Sequence, residues 1–269
     1  MLMLVRSILI LLLAAFSLPA SAQFRGGNDD CVLDRCQDRQ DNGNRTQGRG
    51  RSGPDDRSQD NSQSRGWFGG PRRDQATTVA PGRFDFYVLA LSWSSSFCAS
   101  GNNDDRDQCQ IGSSKGFVVH GLWPQYVRGF PSDCPSSVRN PPASAMRDAE
   151  GVFPDIGLAR YEWRKHGTCS GRSPVDYFAD VRRARDKIEI PQELQKPRSA
   201  QTMSPLDIQR AFIDANRGLR PGMMAVACQR GQLQEVRICL SKDLRDFTPC
   251  PEVARQACRT QQINVPPVR

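Results

Sequence analysis

The sequence predicts an α+β fold: a mainly antiparallel central sheet flanked by helices and stabilised by disulfides. Three observations point there. Segments rich in aromatic and β-branched residues stand among helix-like segments without regular alternation, which argues against a parallel βαβ build. Ten cysteines, an even number, occur in a chain that opens with an export-type leader, a combination that favours disulfides formed outside the cytosol. Residues 81–269, 189 in all, are enough for one domain with a sizeable core.

The leader is MLMLVRSILILLLAAFSLPASA, residues 1–22. It has one early cation, Arg6, an apolar run from Ile8 to Leu18, and a small-x-small ending at Ala20, Ser21 and Ala22. This reads as a secretory signal peptide cut after Ala22. The apolar run is shorter than the ~20 residues a membrane-spanning helix needs. The expected product is exported, periplasmic or extracellular, and has no membrane partner once the leader is removed.

Residues 23–80 are dominated by Arg, Asp, Gly, Asn, Gln and Ser, with Trp67 and Phe68 as the main large apolar exceptions. Such a composition buries too little apolar surface to offset the entropy of ordering, so the segment reads as a disordered, low-complexity linker. An Arg- and Gly-containing arm for RNA is the sharper alternative, weakened by nine Asp against ten Arg. Cys31 and Cys36 are close enough in sequence to pair with each other, and an intermolecular link is equally open. Six of the eight net positive charges fall on residues 81–269, which favours a polyanionic partner for the folded part.

Within that part, Arg83 to Trp93 (RFDFYVLALSW) is continuously apolar from Phe86 to Leu91 and reads as a strand buried on both faces. Gly116 to Pro124 (GFVVHGLWP) begins as a second strand and is expected to leave it by Pro124, which places His120 near a strand end. Ser173-Pro174-Val175-Asp176 has the grammar of a helix start, with a helix expected to about Lys187. Ser204-Pro205-Leu206-Asp207 repeats it, with Gly218 as the stop. MMAVAC and QLQEVRICL, separated by QRG, read as a β-hairpin.

The chain has two histidines, His120 and His166, so any imidazole chemistry uses these positions. In EWRKHGTC, Glu162, Lys165 and His166 stand at i, i+3 and i+4, one face of a helix if the segment is helical. A carboxylate, an ammonium and an imidazole together make a poor core surface and a good surface for handling an anion. The bland alternative is a solvated face with a Glu–Lys pair. A metal set of His120, His166 and Cys169 is disfavoured, because no paired CxxC motifs exist and Cys169 is better placed in a disulfide. No cofactor is expected. Trp123 and His120, taken singly, read as core residues.

FVVHGLWPQY and YEWRKHGTCSG together resemble the two active-site segments of the ribonuclease T2 family, the exported, base-nonspecific endoribonucleases. The resemblance covers Phe84 to Cys258, with the FDFYVLALSW strand and the spacing of several cysteines. It implies a metal-independent enzyme that cleaves single-stranded RNA by attack of the 2′-hydroxyl. The first product is a 2′,3′-cyclic phosphate and the second a 3′-phosphate. His166 would be the general base and His120 the general acid, each worth ~10² to 10⁴ in rate. Lys165 would stabilise the charge developing on the phosphate, with Glu162 beside it.

Trp123 and Phe130 resemble positions that flank a bound base, where stacking is worth ~1 to 3 kcal/mol. Phe130 reads equally well as a loop residue covering the core. Two departures bear on substrate binding. Tyr161 stands where members commonly have a histidine, and a phenol donates a hydrogen bond without bringing positive charge. Gln125 stands where some members have an acidic residue. The resemblance also implies the disulfides Cys134–Cys169, Cys228–Cys258 and Cys239–Cys250, leaving Cys98–Cys109. A monomer that does not cleave DNA is expected. The competing reading is a noncatalytic protein on the same fold that binds RNA or protein.

Overall fold

A computed structural model describes residues 80–101 and 107–269. The leader, residues 23–79 of the linker segment, and Cys31 with Cys36 lie outside the described residues.

The sheet is built around β1 (Phe86–Trp93), whose eight residues are all buried. Its strands are β2 (Phe117–Gln125), β3 (Gln201–Met203), β4 (Met224–Gln229), β5 (Gln232–Ser241) and β6 (Ile263–Val265). The order is β2-β1-β5-β6-β3, with β4 also paired to β5. Every pairing is antiparallel except β5 with β6, which meet in parallel through Gln232 and Asn264. The sheet is therefore mixed, with the antiparallel majority the sequence predicts.

Period-two alternation explains why β1 is apolar from Phe86 to Leu91. Tyr87, Leu89, Leu91 and Trp93 enter the main core with Trp163, Tyr177, Phe178 and Val181. Phe86, Val88 and Ala90 enter a smaller core with Trp123, Ala225, Cys239, Cys250 and Val253. A strand covered on both faces has no solvent side on which to place polar residues.

β2 departs from expectation in two linked ways. It runs through Pro124, which pairs with Tyr87, instead of ending before it. Proline is tolerated there because β2 is the outermost strand of its side of the sheet, so no second neighbour needs its N–H. His120 consequently lies inside the strand and not near its end. Pairing steps from Ala90–Gly121 to Leu91–Val119, so His120 is the extra residue of a β-bulge. The inserted residue changes parity along the strand, and Val119 and Leu122 both reach the main core as a result.

The helices are α1 (Ser94–Ala99), α2 (Ala143–Ala149), α3 (Ile156–Lys165), α4 (Pro174–Asp186), α5 (Gln192–Gln195), α6 (Pro205–Ala215) and α7 (Pro251–Arg255). Ser173 and Ser204 cap α4 and α6, accepting from the N–H groups of Asp176 and Asp207 at 3.2 and 3.0 Å. In α6 the stop differs from the Gly218 expected. The helix ends at Ala215 because the Asn216 side chain donates to the carbonyls of Phe212 and Glu189, each at 2.8 Å. The β4–β5 hairpin turns at Arg230 and Gly231, both at positive φ, which matches the right-handed twist of its strands.

Among the described residues four disulfides join Cys98–Cys109, Cys134–Cys169, Cys228–Cys258 and Cys239–Cys250. No helix among the described residues is long and apolar enough to cross a membrane.

Candidate active site

Two segments meet over the smaller core. The first is the bulge of β2, and a bulge re-aims a side chain that a regular strand would hold in alternation. The second is the end of α3. Its N-terminus is capped by Asp155, whose carboxylate accepts the Leu158 N–H at 2.8 Å. Its last turn carries Glu162 and Lys165. His166 leaves helical geometry while its N–H still donates to the Glu162 carbonyl at 2.9 Å. A 3-10 turn, Gly167–Ser170, follows directly. Gly167 is required there, because a Cβ would lie 2.5 Å from the Trp163 ring and 3.0 Å from that of Tyr177.

Trp123 joins the two segments. Its indole centroid lies 5.0 Å from the His120 ring, edge to face, and 5.3 Å from the His166 ring. Its N–H donates to Glu162 Oε2 at 2.7 Å. Gly121 makes this possible, since a Cβ there would fall inside the contact radii of both Glu162 Oε2 and Trp123 Nε1. The glycine of HGLWP thus clears space for a buried hydrogen bond between the two segments.

Both imidazoles, Glu162 and Lys165 are buried, at 3%, 2%, 0% and 5% exposure for His120, His166, Glu162 and Lys165. That burial excludes the solvated helix face. Lys165 Nζ lies 3.1 Å from Asp133 Oδ2, and the Asp133 N–H donates to the Lys165 carbonyl at 2.8 Å. The Cys134–Cys169 bridge, with Cα atoms 5.0 Å apart, fastens the same loop to the turn after His166.

His120 stands between two carboxylates. Its Nδ1 is 2.7 Å from Glu235 Oε2 and its Nε2 is 3.6 Å from Glu162 Oε1. Burial alone would push the Glu235 carboxyl up. The Arg237 guanidinium and the His120 hydrogen bond outweigh that and hold it down at about 2. An ionised carboxylate only accepts, so Nδ1 carries the proton of this contact.

Residues 84–250 match the Ribonuclease T2 family. The chain belongs to the ribonuclease T2 family. It is 40% identical over 173 residues to a ribonuclease of Aeromonas hydrophila, covering 64% of this chain and 78% of that protein. It is 31% identical over 196 residues to Ribonuclease DdI of Dictyostelium discoideum, covering 66% and 83%. The fold is shared with an RNase-related protein from Calystegia sepium, with a TM-score of 0.57 at 24% identity, over 69% of this chain and 98% of that one.

The remaining residues singled out by the resemblance to ribonuclease T2 are spread more widely. Tyr161 lies on α3 beside Glu162, half-buried, with its hydroxyl oxygen buried. Gln125 ends β2 and is half-buried. Phe130 is exposed in the loop that follows. The contacts that join the imidazoles to Trp123, Glu162 and Glu235 do not extend to Gln125 or Phe130. Trp123 itself is 8% exposed, with the Arg237 guanidinium 5.5 Å from the centre of its ring. Among the described residues no cluster of three or more His, Cys, Asp or Glu could hold a metal ion, and Cys169 is committed to its disulfide.

Sequence reasoning missed Glu235, Arg237, Ser92 and Asp133. Glu235 carried a readable signal: a lone acid in QLQEVRICL, a strand whose buried positions are otherwise apolar, must find a partner.

Proposed function

We propose that this chain, an RNA-cleaving enzyme of the ribonuclease T2 type, cuts single-stranded RNA internally by transesterification. The observation that carries the reading is the packing of its only two imidazoles against one indole, Trp123, with Glu162 and Lys165 beside them.

His166 takes the proton of the 2′-hydroxyl as its oxygen bonds to phosphorus. His120 gives a proton to the departing 5′ oxygen as the old bond breaks, and a 2′,3′-cyclic phosphate results. In the second step His120 takes a proton from water as its oxygen bonds to phosphorus, the bond from phosphorus to the 2′ oxygen breaks, His166 returns a proton to that oxygen, and a 3′-phosphate is left. Lys165 favours the transition state over the ground state by its charge, the substrate phosphate competing with Asp133 for its ammonium. Glu162 orients the indole through its hydrogen bond. Trp123, Tyr161, Gln125 and Phe130 are the proposed substrate contacts.

The proposed layout is a leader at 1–22, a linker at 23–80 and a monomeric catalytic domain at 81–269, exported to the periplasm or beyond the cell. The test is digestion of a defined oligoribonucleotide and its DNA counterpart in excess chelator, with product ends identified by mass. Cyclic phosphate ends on RNA alone are expected, and His166→Ala lowers turnover by ~10² or more. Cleavage of DNA, or dependence on added metal, overturns the proposal.

A further inference from the structure

Glu235 lies outside the two segments that carry His120 and His166, yet its carboxylate is nearer to His120, at 2.7 Å, than that of Glu162, at 3.6 Å. It sits on β5 opposite Ser92 of β1, so three adjacent strands supply one network: His120 from β2, Ser92 from β1, and Glu235 with Arg237 from β5. Its two oxygens divide the work. Oε2 accepts from His120 Nδ1 at 2.7 Å and from the Ser92 hydroxyl at 3.1 Å, while Oε1 accepts from Arg237 Nε at 2.8 Å. Arg237 is itself held by Gln256 through Nη1 at 3.1 Å. The carboxylate is 3% exposed and has donors on both oxygens, so neither its position nor its charge is at the mercy of solvent.

We propose that Glu235 is a positioning residue for His120, fixing its tautomer and orientation so that Nε2 is the nitrogen that delivers the proton to the leaving oxygen. The proposal rests on the acid–base reading above and extends it.

The chemistry requires such a group. A bulge frees His120 from the strand's alternation, so the ring's direction is set by the side chains around it and not by the strand's pleat. An imidazole with two similar nitrogens must present the correct one, and the partner of the other nitrogen decides which. The charged groups facing His120 are Glu235, with Arg237 behind it, from β5, and Glu162 from the last turn of α3, which also carries Lys165. Trp123 packs against both His120 and His166. The ionised Glu235 at Nδ1 favours a second proton on the ring, at Nε2, before the leaving oxygen needs it.

Two substrates separate positioning from simple structural support. A dinucleoside phosphate has a poor leaving oxygen that needs a proton, whereas a nucleoside 3′-(4-nitrophenyl phosphate) releases a phenolate that does not. Glu235→Gln keeps the shape and removes the charge. It is expected to lower kcat on the dinucleotide by about tenfold to a hundredfold with little change in KM. The loss on the nitrophenyl ester is expected to be much smaller. The alkaline limb of the dinucleotide pH profile moves to lower pH. The ratio of kcat/KM on the two substrates is independent of the folded fraction, so even a destabilised variant discriminates between the two roles. In the His120→Ala background, Glu235→Gln is expected to add no further loss on the dinucleotide. Equal losses on both substrates, an unmoved alkaline limb, or full additivity with His120→Ala overturns the inference while leaving the acid–base reading intact. Undiminished dinucleotide cleavage by His120→Ala overturns that reading, and this inference with it.

Discussion

Gly121→Ala adds one methyl group where the two segments of the candidate site touch. Gly121 is not at positive φ, so alanine can adopt its backbone and only space opposes the change. The new Cβ would overlap Glu162 Oε2 and Trp123 Nε1 and lie 2.9 Å from Glu162 Cδ, so the 2.7 Å hydrogen bond between them must open. Leaving those buried groups unpaired costs ~1–3 kcal/mol, and forcing a methyl into a filled space costs a further ~1–3 kcal/mol. Against this, replacing a strand glycine by alanine gains at most about 1 kcal/mol of chain entropy, so destabilisation wins. The net loss is ~1–5 kcal/mol, and at roughly 2–4 °C per kcal/mol Tm falls by roughly 2–20 °C. Because Trp123 is packed against both imidazoles, its displacement also lowers kcat, by as much as about 10²-fold. Thermal unfolding with the disulfides intact, followed by turnover well below Tm, measures both effects. An unchanged Tm together with unchanged turnover would falsify the claim that this glycine exists to admit the Glu162–Trp123 contact.

Other perturbations follow from the same structure. Replacing Cys134 and Cys169 with alanine opens a loop of sequence separation 35, which the chain-entropy relation values at ~4 kcal/mol; urea denaturation reads the loss, and an unchanged midpoint refutes it. Asn216→Ala removes donation to Phe212 and Glu189 and acceptance from the Glu189 N–H at 2.8 Å, and is expected to cost ~2–3 kcal/mol in the same assay. The folded Glu235 carboxyl, at about 2, lies below its ordinary 4.5, so its stabilisation is present above pH 4.5 and is lost as pH falls toward 2. The stability gap between the wild type and Glu235→Gln therefore narrows across that window. A gap that is constant with pH would mean that the carboxylate's charge contributes nothing.

The parts of the fold that sequence reveals are those governed by local rules. Ser173 and Ser204 announce their helices because a cap is made within one turn of chain. The apolar run of β1 announces burial on both faces. The bulge at His120 was not legible, because it exists only in the pairing of β2 with β1, and a single strand's residues do not state which partner they oppose. The same reason concealed Asn216, whose carbonyl partner at Glu189 is far along the chain. At the candidate site, His120, Glu162, Lys165 and His166 were legible from scarcity and spacing, and their family roles came from the resemblance. Glu235 and Asp133 act through contacts between distant segments, so even where a lone acid in an apolar strand is visible, as at Glu235, its partner is not.

The outer rim of β2 has one more consequence, for the behaviour of many copies of this protein together. An open strand rim is a template on which another polypeptide can zip up backbone to backbone. Here the Leu122 carbonyl accepts the Tyr177 hydroxyl at 3.0 Å, and two residues on Pro124 has no N–H to offer. One carbonyl of that rim is thus occupied and one donor is missing from it. The proline expected to end this strand instead sits within it and removes a donor from its open rim.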